Sequence, residues 1–405
     1  MQFSDDCKTF HKPLSIAWIR CGNLKFTFIP RERAFTVNHR SIALPVIVAV
    51  TLGVAAVGHS ADKPESPPTP AAVPNPYLFV IRDPDVHREL RLTAEQVAAI
   101  RTLTDEIDLP LWSVRGMSLE EGTRRLQQLI EQAESRMADI LTPLKRERLN
   151  QVVLQMQGSR ALARPDIAAA LGLSEKQSAT IREVIDETNK ELAGLQKEAS
   201  DGKRRSSADK SESKLRQEEQ KKLATVLSRS QRAQWETKRG TAVDTSKIGD
   251  NVAFKAPEFQ NAETWINSRP LKLADLRGQV VAVHFYAFGC INCIHNYPHY
   301  KEWQSDLTKK GLAIVGIHTP ETSAERDAEA VRRKADENGF EFPILVDNDK
   351  SNWTTWGNTM WPSVYLIDKK GYVRFSDWWY GEMDWQGVGG HKLMRKRIEE
   401  LLAEK

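Results

Sequence analysis

Residues 285–293, FYAFGCINC, join an apolar, strand-like run to a C-x-x-C pair. Where a strand feeds a helix, the first sulfur of such a pair meets the free backbone N–H groups of the helix N-terminus, which stabilise a thiolate. Cys290 is therefore the candidate nucleophile, and Cys293 lies one helical turn further on. The other segments of the chain are predicted to export this pair, to hold it in place or to add a second function to it.

Length and charge limit the classes of protein that the chain can belong to. At a prior of roughly 150 residues per domain, its 405 residues predict two or three domains. The formal net charge of +4 is concentrated at the front, since the first 40 residues hold seven Lys or Arg against three Asp or Glu. The remainder is balanced, so it carries no basic surface of the kind that binds nucleic acid.

Residues 1–61 are predicted to be a leader that contains a secretory signal. Residues 42–57 are uncharged, follow Arg40, and precede small residues suited to signal cleavage. This run is short for a membrane span, which needs about 20 apolar residues, and Pro45 weakens it further. The alternative is that the segment is retained as a membrane anchor. The segment before Val37 is unusually long and aromatic for the N-terminal part of a signal. One explanation for this extra segment is that translation begins near Val37.

The chain has four cysteines, and two of them, Cys7 and Cys21, lie within the predicted leader. Export would place the protein where structural disulfides are permitted. After cleavage the only disulfide available is the one within the C-x-x-C, which indicates a working dithiol. No other cofactor is expected, because the sequence contains no Gly-rich phosphate loop, serine triad or paired-carboxylate pattern.

A proline-rich stretch, residues 62–77, is predicted to be an extended, semi-rigid linker. A helical domain follows over residues 78–240, where apolar residues recur at the spacing of one helix face. One such series is Val97, Ile100, Leu103 and Ile107.

The helical domain contains an internal repeat. Residues 90–101 match residues 171–182 in an L-[ST]-x-x-Q pattern, and residues 140–146 match residues 226–232. Each block predicts a helix start, with Thr93 or Ser174 as the N-cap. Each unit is then predicted to be a helical hairpin whose second arm begins at the second cap. The repeat resembles the L-T-x-x-Q motif of small periplasmic helical chaperones, and a plain helical spacer is the alternative.

Residues 241–405 alternate strand-like and helix-like segments. Strands are predicted at residues 280–287, 312–318, 343–346, 363–367 and 372–379. Helices are predicted from the cysteine pair to Trp303 and over residues 324–338. Mixed strands covered by helices indicate an α/β sandwich.

Several spaced motifs in this region resemble a known family. The segment 285–293 with Pro298 resembles the strand, C-x-x-C and kinked helix of thioredoxin-fold proteins, and residues 360–368, MWPSVYLID, resemble their cis-proline loop and following strand. The added blocks at residues 316–321 and 347–349 are similar to those of exported TlpA-like thiol–disulfide oxidoreductases. The C-I-N-C and W-P-x-x-Y-L-I-D strings most resemble the thioredoxin-like domain of DipZ-type proteins.

The resemblance implies thiol–disulfide exchange. The Cys290 thiolate would attack a substrate disulfide, and Cys293 would resolve the mixed disulfide. Pro362, cis in the family, would lie beside the sulfurs without an N–H, and the backbone of Trp361 would face an extended partner strand. An ordinary turn proline is the alternative for Pro362.

His284 occupies the position where thioredoxins place a buried acid. A proton relay to Cys293 through the imidazole is one interpretation, and a core histidine with satisfied hydrogen bonds is the other.

Two other kinds of site are weighed and disfavoured. A zinc site built from the cysteines and two histidines fails on helix geometry, because residues two apart are separated by about 200° and His295 therefore points away from Cys293. A peroxide pocket would need hydrogen-bonding side chains at positions that Val283 and Ala287 occupy.

The combined prediction is an all-α repeat domain followed by a thioredoxin-like enzyme outside the cytoplasm. Its partners would be protein thiols and disulfides, such as apocytochrome-like or misfolded exported proteins, with a membrane thiol-electron donor. Trp361 and Trp356 are candidates to line an apolar substrate groove, while Glu321 and His318 are candidate neighbours of the site. The rival hypothesis is a helical chaperone-like or binding protein whose C-terminal domain senses redox state.

Overall fold

The computed structural model describes residues 75–200, 205–249, 252–380, 383–384 and 389–404. The predicted leader, with Cys7 and Cys21, and all but the last residues of the predicted linker lie outside the described residues. Across the part of the chain that is described, no helix is long and apolar enough to cross a lipid bilayer.

The region before the sheet is built from helices. They are α1 (Tyr77–Val80), α2 (Pro84–Glu89), α3 (Ala94–Val114), α4 (Leu119–Ile140), α5 (Pro143–Gln157), α6 (Pro165–Ala170), α7 (Glu175–Ser200), α8 (Arg205–Val226) and α9 (Arg229–Arg239). Buried apolar residues at helical spacing, including Ile100, Leu103 and Ile107, hold the first half together.

The two L-[ST]-x-x-Q blocks form equivalent structures. Thr93 caps α3 through a reciprocal capping box with Gln96, and Ser174 accepts from the backbone N–H of Gln177 at 3.2 Å. Both glutamines also reach across their unit. Gln96 Nε2 donates to the carbonyl of Ile140 at 2.8 Å, and Gln177 Nε2 donates to that of Val226 at 2.9 Å. The predicted N-caps are confirmed.

The prediction that each repeat is a two-helix hairpin is wrong. The first unit has three helices, α3, α4 and α5, and the second cap, Thr142, begins the third of them. The arm between them begins at Ser118, which caps α4 by accepting from the N–H of Glu121 at 3.3 Å. Ser118 followed three residues later by Glu121 is itself a helix-start pattern. It divides the predicted first arm of the hairpin into two helices, α3 and α4.

The C-terminal region contains a seven-stranded sheet in the order β1-β7-β6-β3-β4-β5-β2. Its strands are β1 (Ala253–Lys255), β2 (Trp265–Ile266), β3 (Val280–Tyr286), β4 (Leu312–His318), β5 (Ile344–Val346), β6 (Ser363–Ile367) and β7 (Tyr372–Tyr380). Strands β3, β4 and β5 are parallel, whereas β6 runs antiparallel to β3. The five predicted strands are confirmed. The two short strands β1 and β2 were not predicted, because two or three residues are too few to show a period.

Helices cover one face of the sheet. They are α10 (Ile291–Asp306), α11 (Ala328–Asn338) and α13 (Gly390–Ala403), and the short α12 (Ser351–Thr355) follows β5. The buried side chains of α10, α11 and α13 share a core with Ala282 and Tyr286 of β3. Cys290 and Cys293 belong to the same core.

The opposite face of the sheet is covered in part by the helical region. Phe79 of α1 and Trp112 of α3 share a core with Val283 and Phe285 of β3. Trp112 Nε1 also donates to the carbonyl of Lys255 at 2.9 Å. The helices and the sheet are therefore packed together through a common apolar core rather than joined by a linker alone.

Candidate active site

Cys290 lies at the N-terminus of α10, where the sequence places a reactive thiol. Cys290 is the N-cap residue, and its Sγ accepts from the backbone N–H of Cys293 at 3.3 Å. A hydrogen bond from the Cys293 thiol is the main cause that lowers the pKa of Cys290. Burial opposes this, and backbone N–H groups at the helix start add to the lowering. This environment favours the Cys290 thiolate.

Cys293 has the opposite environment. Both cysteines are free thiols, but Cys293 has no exposed surface, whereas Cys290 retains 8%. Burial raises the pKa of Cys293, and its hydrogen bond to Cys290 raises it further. The pair therefore has one thiol that keeps some exposed surface and ionises more readily, and one fully buried thiol that keeps its proton, as attack and resolution require.

Pro362 lies beside the end of the strand that leads to the cysteines. The Trp361–Pro362 peptide bond is cis. Strand β6 begins at Ser363, which is paired with Phe285 of β3. The antiparallel register therefore puts Pro362 alongside Tyr286, four residues before Cys290. Because proline has no N–H, the start of β6 has no backbone donor at Pro362.

Trp361 packs against the core that contains the cysteines. Its Nε1 donates to the carbonyl of Thr319 at 3.0 Å, and its ring stacks on Trp353 with centroids 3.9 Å apart. The prediction that Trp356 lines a substrate groove is wrong. Trp356 is fully buried and contacts Trp112 and Tyr365 on the other side of the sheet.

His284 lies on the same face of β3 as Tyr286, within aromatic surroundings. Its ring stacks on Tyr300 at 4.1 Å and meets the edge of Phe342 at 5.3 Å. Both ring nitrogens are buried without a hydrogen-bond partner among the described residues. Burial lowers the pKa of His284 to about 3. The expectation of a satisfied core histidine is thus wrong, and the imidazole is neutral near pH 7.

His318 and Glu325 hold the loop that carries the cysteines. His318 Nε2 accepts from the backbone N–H of Phe288 at 3.3 Å, and its ring stacks on that of Phe288. Glu325 accepts from the N–H of Gly289 at 2.8 Å and from the N–H groups of residues 321 and 322. A side chain on residue 289 would clash, since a Cβ there would lie 2.8 Å from the Glu325 carboxylate.

Protonation states follow from these contacts. Burial lowers the pKa of His318 to about 4, although the charge of Glu325 opposes this, so His318 accepts as a neutral imidazole. Burial raises the pKa of Glu325, but the N–H groups that it binds outweigh burial and the net shift is downward. Sequence analysis had named His318 but missed Glu325. The available signal was Thr322-x-x-Glu325, a capping-box spacing that the structure contains.

Glu321 is the ionisable group that acts on both thiols. Its negative charge raises the pKa of Cys290 and, as a smaller cause, that of Cys293. Burial, and then the neighbouring Glu325, raises the pKa of Glu321 itself. A carboxyl group with a raised pKa whose charge acts on a dithiol is a candidate to exchange a proton with it.

Apolar side chains are exposed next to the site. Ile291 and Ile294, on the first turn of α10, are 61% and 39% exposed, and Met360, just before the cis-proline, is 46% exposed. Exposed apolar groups on both segments that flank a reactive thiol suit contact with an apolar stretch of another chain.

The structure does not bring the histidines of α10 to the cysteines. Among the described residues, no group of three or more potential metal ligands includes Cys290 or Cys293. His295 is exposed, and His299 lies near Asp384 instead.

Comparisons with known proteins agree on the class of the C-terminal domain. Residues 252–376 match the AhpC/TSA family. Protein DipZ of Mycobacterium tuberculosis is 38% identical over 133 residues, covering 32% of this chain and 19% of that protein. The thiol-disulfide oxidoreductase ResA of Bacillus anthracis is 27% identical over 135 residues, covering 33% of this chain and 73% of that protein.

One solved structure, a thioredoxin-like superfamily protein, is 28% identical and covers 37% of this chain and 97% of its own, with a TM-score of 0.33. The chain spans about a fifth of the length of the DipZ proteins that it matches, 19% in each case. The family match, residues 252–376, falls on the region that contains the sheet and the dithiol.

Proposed function

We propose that this chain, whose C-terminal domain is a thioredoxin-like thiol–disulfide oxidoreductase domain of the TlpA/DipZ type, reduces or exchanges protein disulfides outside the cytoplasm. The observation that carries the proposal is the contrast between the two thiols. Cys290 is an N-cap thiol that is 8% exposed and has a lowered pKa, whereas Cys293 is fully buried and has a raised pKa.

The reaction transfers two electrons from the dithiol to the substrate. The Cys290 thiolate attacks one sulfur of a substrate disulfide, a mixed disulfide forms, and the other substrate sulfur leaves as a thiolate. Cys293 then loses its proton and attacks Cys290 Sγ. The second substrate sulfur leaves, and the Cys290–Cys293 disulfide remains. Glu321 is the proposed acceptor of the Cys293 proton, because its charge acts on that thiol and its own pKa is raised.

The proposed partners are folded or misfolded exported proteins that present a cystine in an extended, apolar stretch, with apocytochrome-like chains as one class. Support comes from the exposed Ile291, Ile294 and Met360 on the two segments that flank Cys290. Each turnover leaves an oxidised pair. A compartment outside the cytoplasm lacks a reducing buffer, so we infer that a membrane-bound thiol donor restores the dithiol.

Turnover of a model protein disulfide tests the proposal. Reduction should disappear in Cys290→Ser, while Cys293→Ser should accumulate a mixed disulfide that separates on a non-reducing gel. The matched control is Cys7→Ser with Cys21→Ser, which should keep full turnover. Holdase activity that survives in Cys290→Ser, together with no disulfide turnover in the parent chain, would favour the rival chaperone-like function.

Export is tested separately from chemistry. Residues 1–61 fused to a reporter that is active only after export should give activity, and residues 78–405 without the leader should not be exported. Extraction of membranes at alkaline pH would separate a cleaved signal, which releases the protein, from a retained anchor, which does not.

A further inference from the structure

A second cluster of chemically active side chains lies away from the dithiol. His299 of α10, Asp384 in the turn after β7, and His391 in the first turn of α13 converge from three separate elements. Their potential ligand atoms all lie within 4.8 Å of one another. Since an α-helix rises about 1.5 Å per residue, His299 lies about 13 Å along α10 from Cys290, so the cluster does not share the thiols.

The geometry points to a divalent metal site formed by His299, Asp384 and His391, with Zn²⁺ as the cation that its chemistry suits best. Two imidazoles and one carboxylate are the ligand set of zinc sites that keep a further coordination position open. His299 and Asp384 side chains are 16% and 32% exposed and that of His391 is 27% exposed, so the open position faces water.

Two distances within the cluster can be compared with those between zinc ligands. His299 Nε2 lies 3.2 Å from Asp384 Oδ2, and His391 Nδ1 lies 2.6 Å from Asp384 Oδ1. Ligands at the usual 2.0 to 2.1 Å from a tetrahedral zinc are about 3.4 Å apart. The His299 separation is close to that value and the His391 separation is about 0.8 Å shorter. Rotation of the His391 side chain away from the carboxylate would bring the three donors around one ion.

The two imidazoles of the cluster face one carboxylate. The imidazoles of His299 and His391 stack in parallel, with centroids 4.6 Å apart and planes at 6°. The two stacked rings both present a nitrogen to the carboxylate of Asp384, so two imidazole donors and a carboxylate donor lie around a common point.

The surrounding structure holds the ligands in place. The buried Asn296 Oδ1 accepts from the backbone N–H of Met383 at 2.8 Å, which ties the turn that carries Asp384 to α10. The backbone N–H of His391 donates to Asp384 Oδ1 at 3.2 Å. Such supporting hydrogen bonds orient ligands and commonly affect metal affinity by about 10- to 100-fold. A bound ion would therefore fasten the start of α13 to the middle of α10.

Zinc titration of the full chain with its four cysteines replaced by serine tests the inference, because no thiol can then contribute. We expect one equivalent of Zn²⁺ to bind, and Asp384→Asn or His391→Gln to weaken binding by at least about 100-fold, since each removes a ligand rather than a supporting group. His295→Gln, on the same helix but outside the cluster, is the matched control and should bind as the parent does.

Cobalt gives a second readout in the unmodified chain. Co²⁺ should produce the visible bands of a low-symmetry nitrogen and oxygen site without a sulfur charge-transfer band, and His299→Gln should abolish them. The inference is overturned if the cysteine-free chain takes up no stoichiometric zinc, or if His295→Gln loses as much affinity as His391→Gln. Circular dichroism of each variant separates ligand loss from failure to fold.

Discussion

Cys290 and Cys293 illustrate how much one helical turn changes a side chain. The first sulfur sits at the N-cap, where backbone N–H groups and the second thiol donate to it, and the second is enclosed by the core. The same chemical group is thus a nucleophilic thiolate at Cys290 and a protonated thiol at Cys293. Alkylation with iodoacetamide should therefore label Cys290 first, and Cys290→Ser should remove the fast phase.

His284 gives a pH dependence of stability that can be predicted from its burial. The folded-state pKa is about 3 against an ordinary value of 6.5. Between pH 6.5 and about pH 3, His284 is therefore protonated in the unfolded chain but neutral in the folded chain. The stability that the neutral His284 contributes is complete above pH 6.5, its pKa in the unfolded chain. Below that pH, the free energy of unfolding falls by about 1.4 kcal/mol for each pH unit.

We expect His284→Phe to reduce the acid slope of the unfolding free energy by about that amount between about pH 6 and about pH 4. Urea denaturation of both proteins across this range measures it. Since neither ring nitrogen has a hydrogen-bond partner among the described residues, no hydrogen bond links the imidazole to the thiols. The pH dependence of Cys290 alkylation should therefore not change in the variant. Parallel acid slopes, or a shifted alkylation profile, would contradict this account of His284.

At the scale of elements, the repeated glutamines do more than cap helices. Gln96 accepts from the Thr93 N–H and donates across the unit to Ile140, and Gln177 repeats the arrangement with Val226. Each side chain thereby closes a helix start and ties it to the end of another helix 44 or 49 residues away. This explains the spacing of the repeat through hydrogen bonds of the fold itself.

Gln96→Ala and Gln177→Ala should each destabilise the chain by about 1 to 2 kcal/mol, because each loses a cap and leaves a carbonyl without its donor. Chemical denaturation measures the change. Gln127→Ala is the control. Among the described residues Gln127 bonds to Glu131 alone, on the exposed surface of α4, so the change should cost less than about 0.5 kcal/mol. Equal effects in all three variants would rule out a special role for the repeated glutamines.

For the molecule as a whole, a buried ion pair connects the helical region to the sheet. We call this contact, formed by Arg82, Asp108 and the backbone of Lys255, the joint. Asp108 of α3 accepts from the backbone N–H of Lys255 at 2.7 Å, and Arg82 Nη2 lies 2.9 Å from its other oxygen. Arg82 also lies over the ring of Phe254, 4.3 Å from its centroid. Further along, Arg115 donates to the Tyr365 hydroxyl at 2.9 Å and to the carbonyl of Trp356.

Asp108→Ala should destabilise the protein by about 3 to 5 kcal/mol, because it leaves the buried Arg82 charge unpaired. Loss of this joint should also separate one thermal transition into two, one for the helices and one for the sheet, as calorimetry would show. Glu106→Ala is the control on the same helix, since its pair with Arg136 is 47% exposed on each side and should contribute less than about 1 kcal/mol. A single, unshifted transition in Asp108→Ala would show that the joint does not couple the two regions.

Local patterns in the sequence were enough for the strands at residues 312–318 and 363–367, the caps at Thr93 and Ser174, and the placement of Cys290 at a helix start. Period, capping chemistry and the C-x-x-C spacing act over a few residues, so they can be seen without coordinates. Contacts between distant segments cannot be seen in this way. Only the tertiary structure brought Glu325 to Gly289, buried Trp356 beneath the helical region, enclosed His284 among aromatic rings, and joined His299 to Asp384 and His391. Each of these depends on how sheet register and helix packing bring remote residues together, and no short stretch of sequence contains that information.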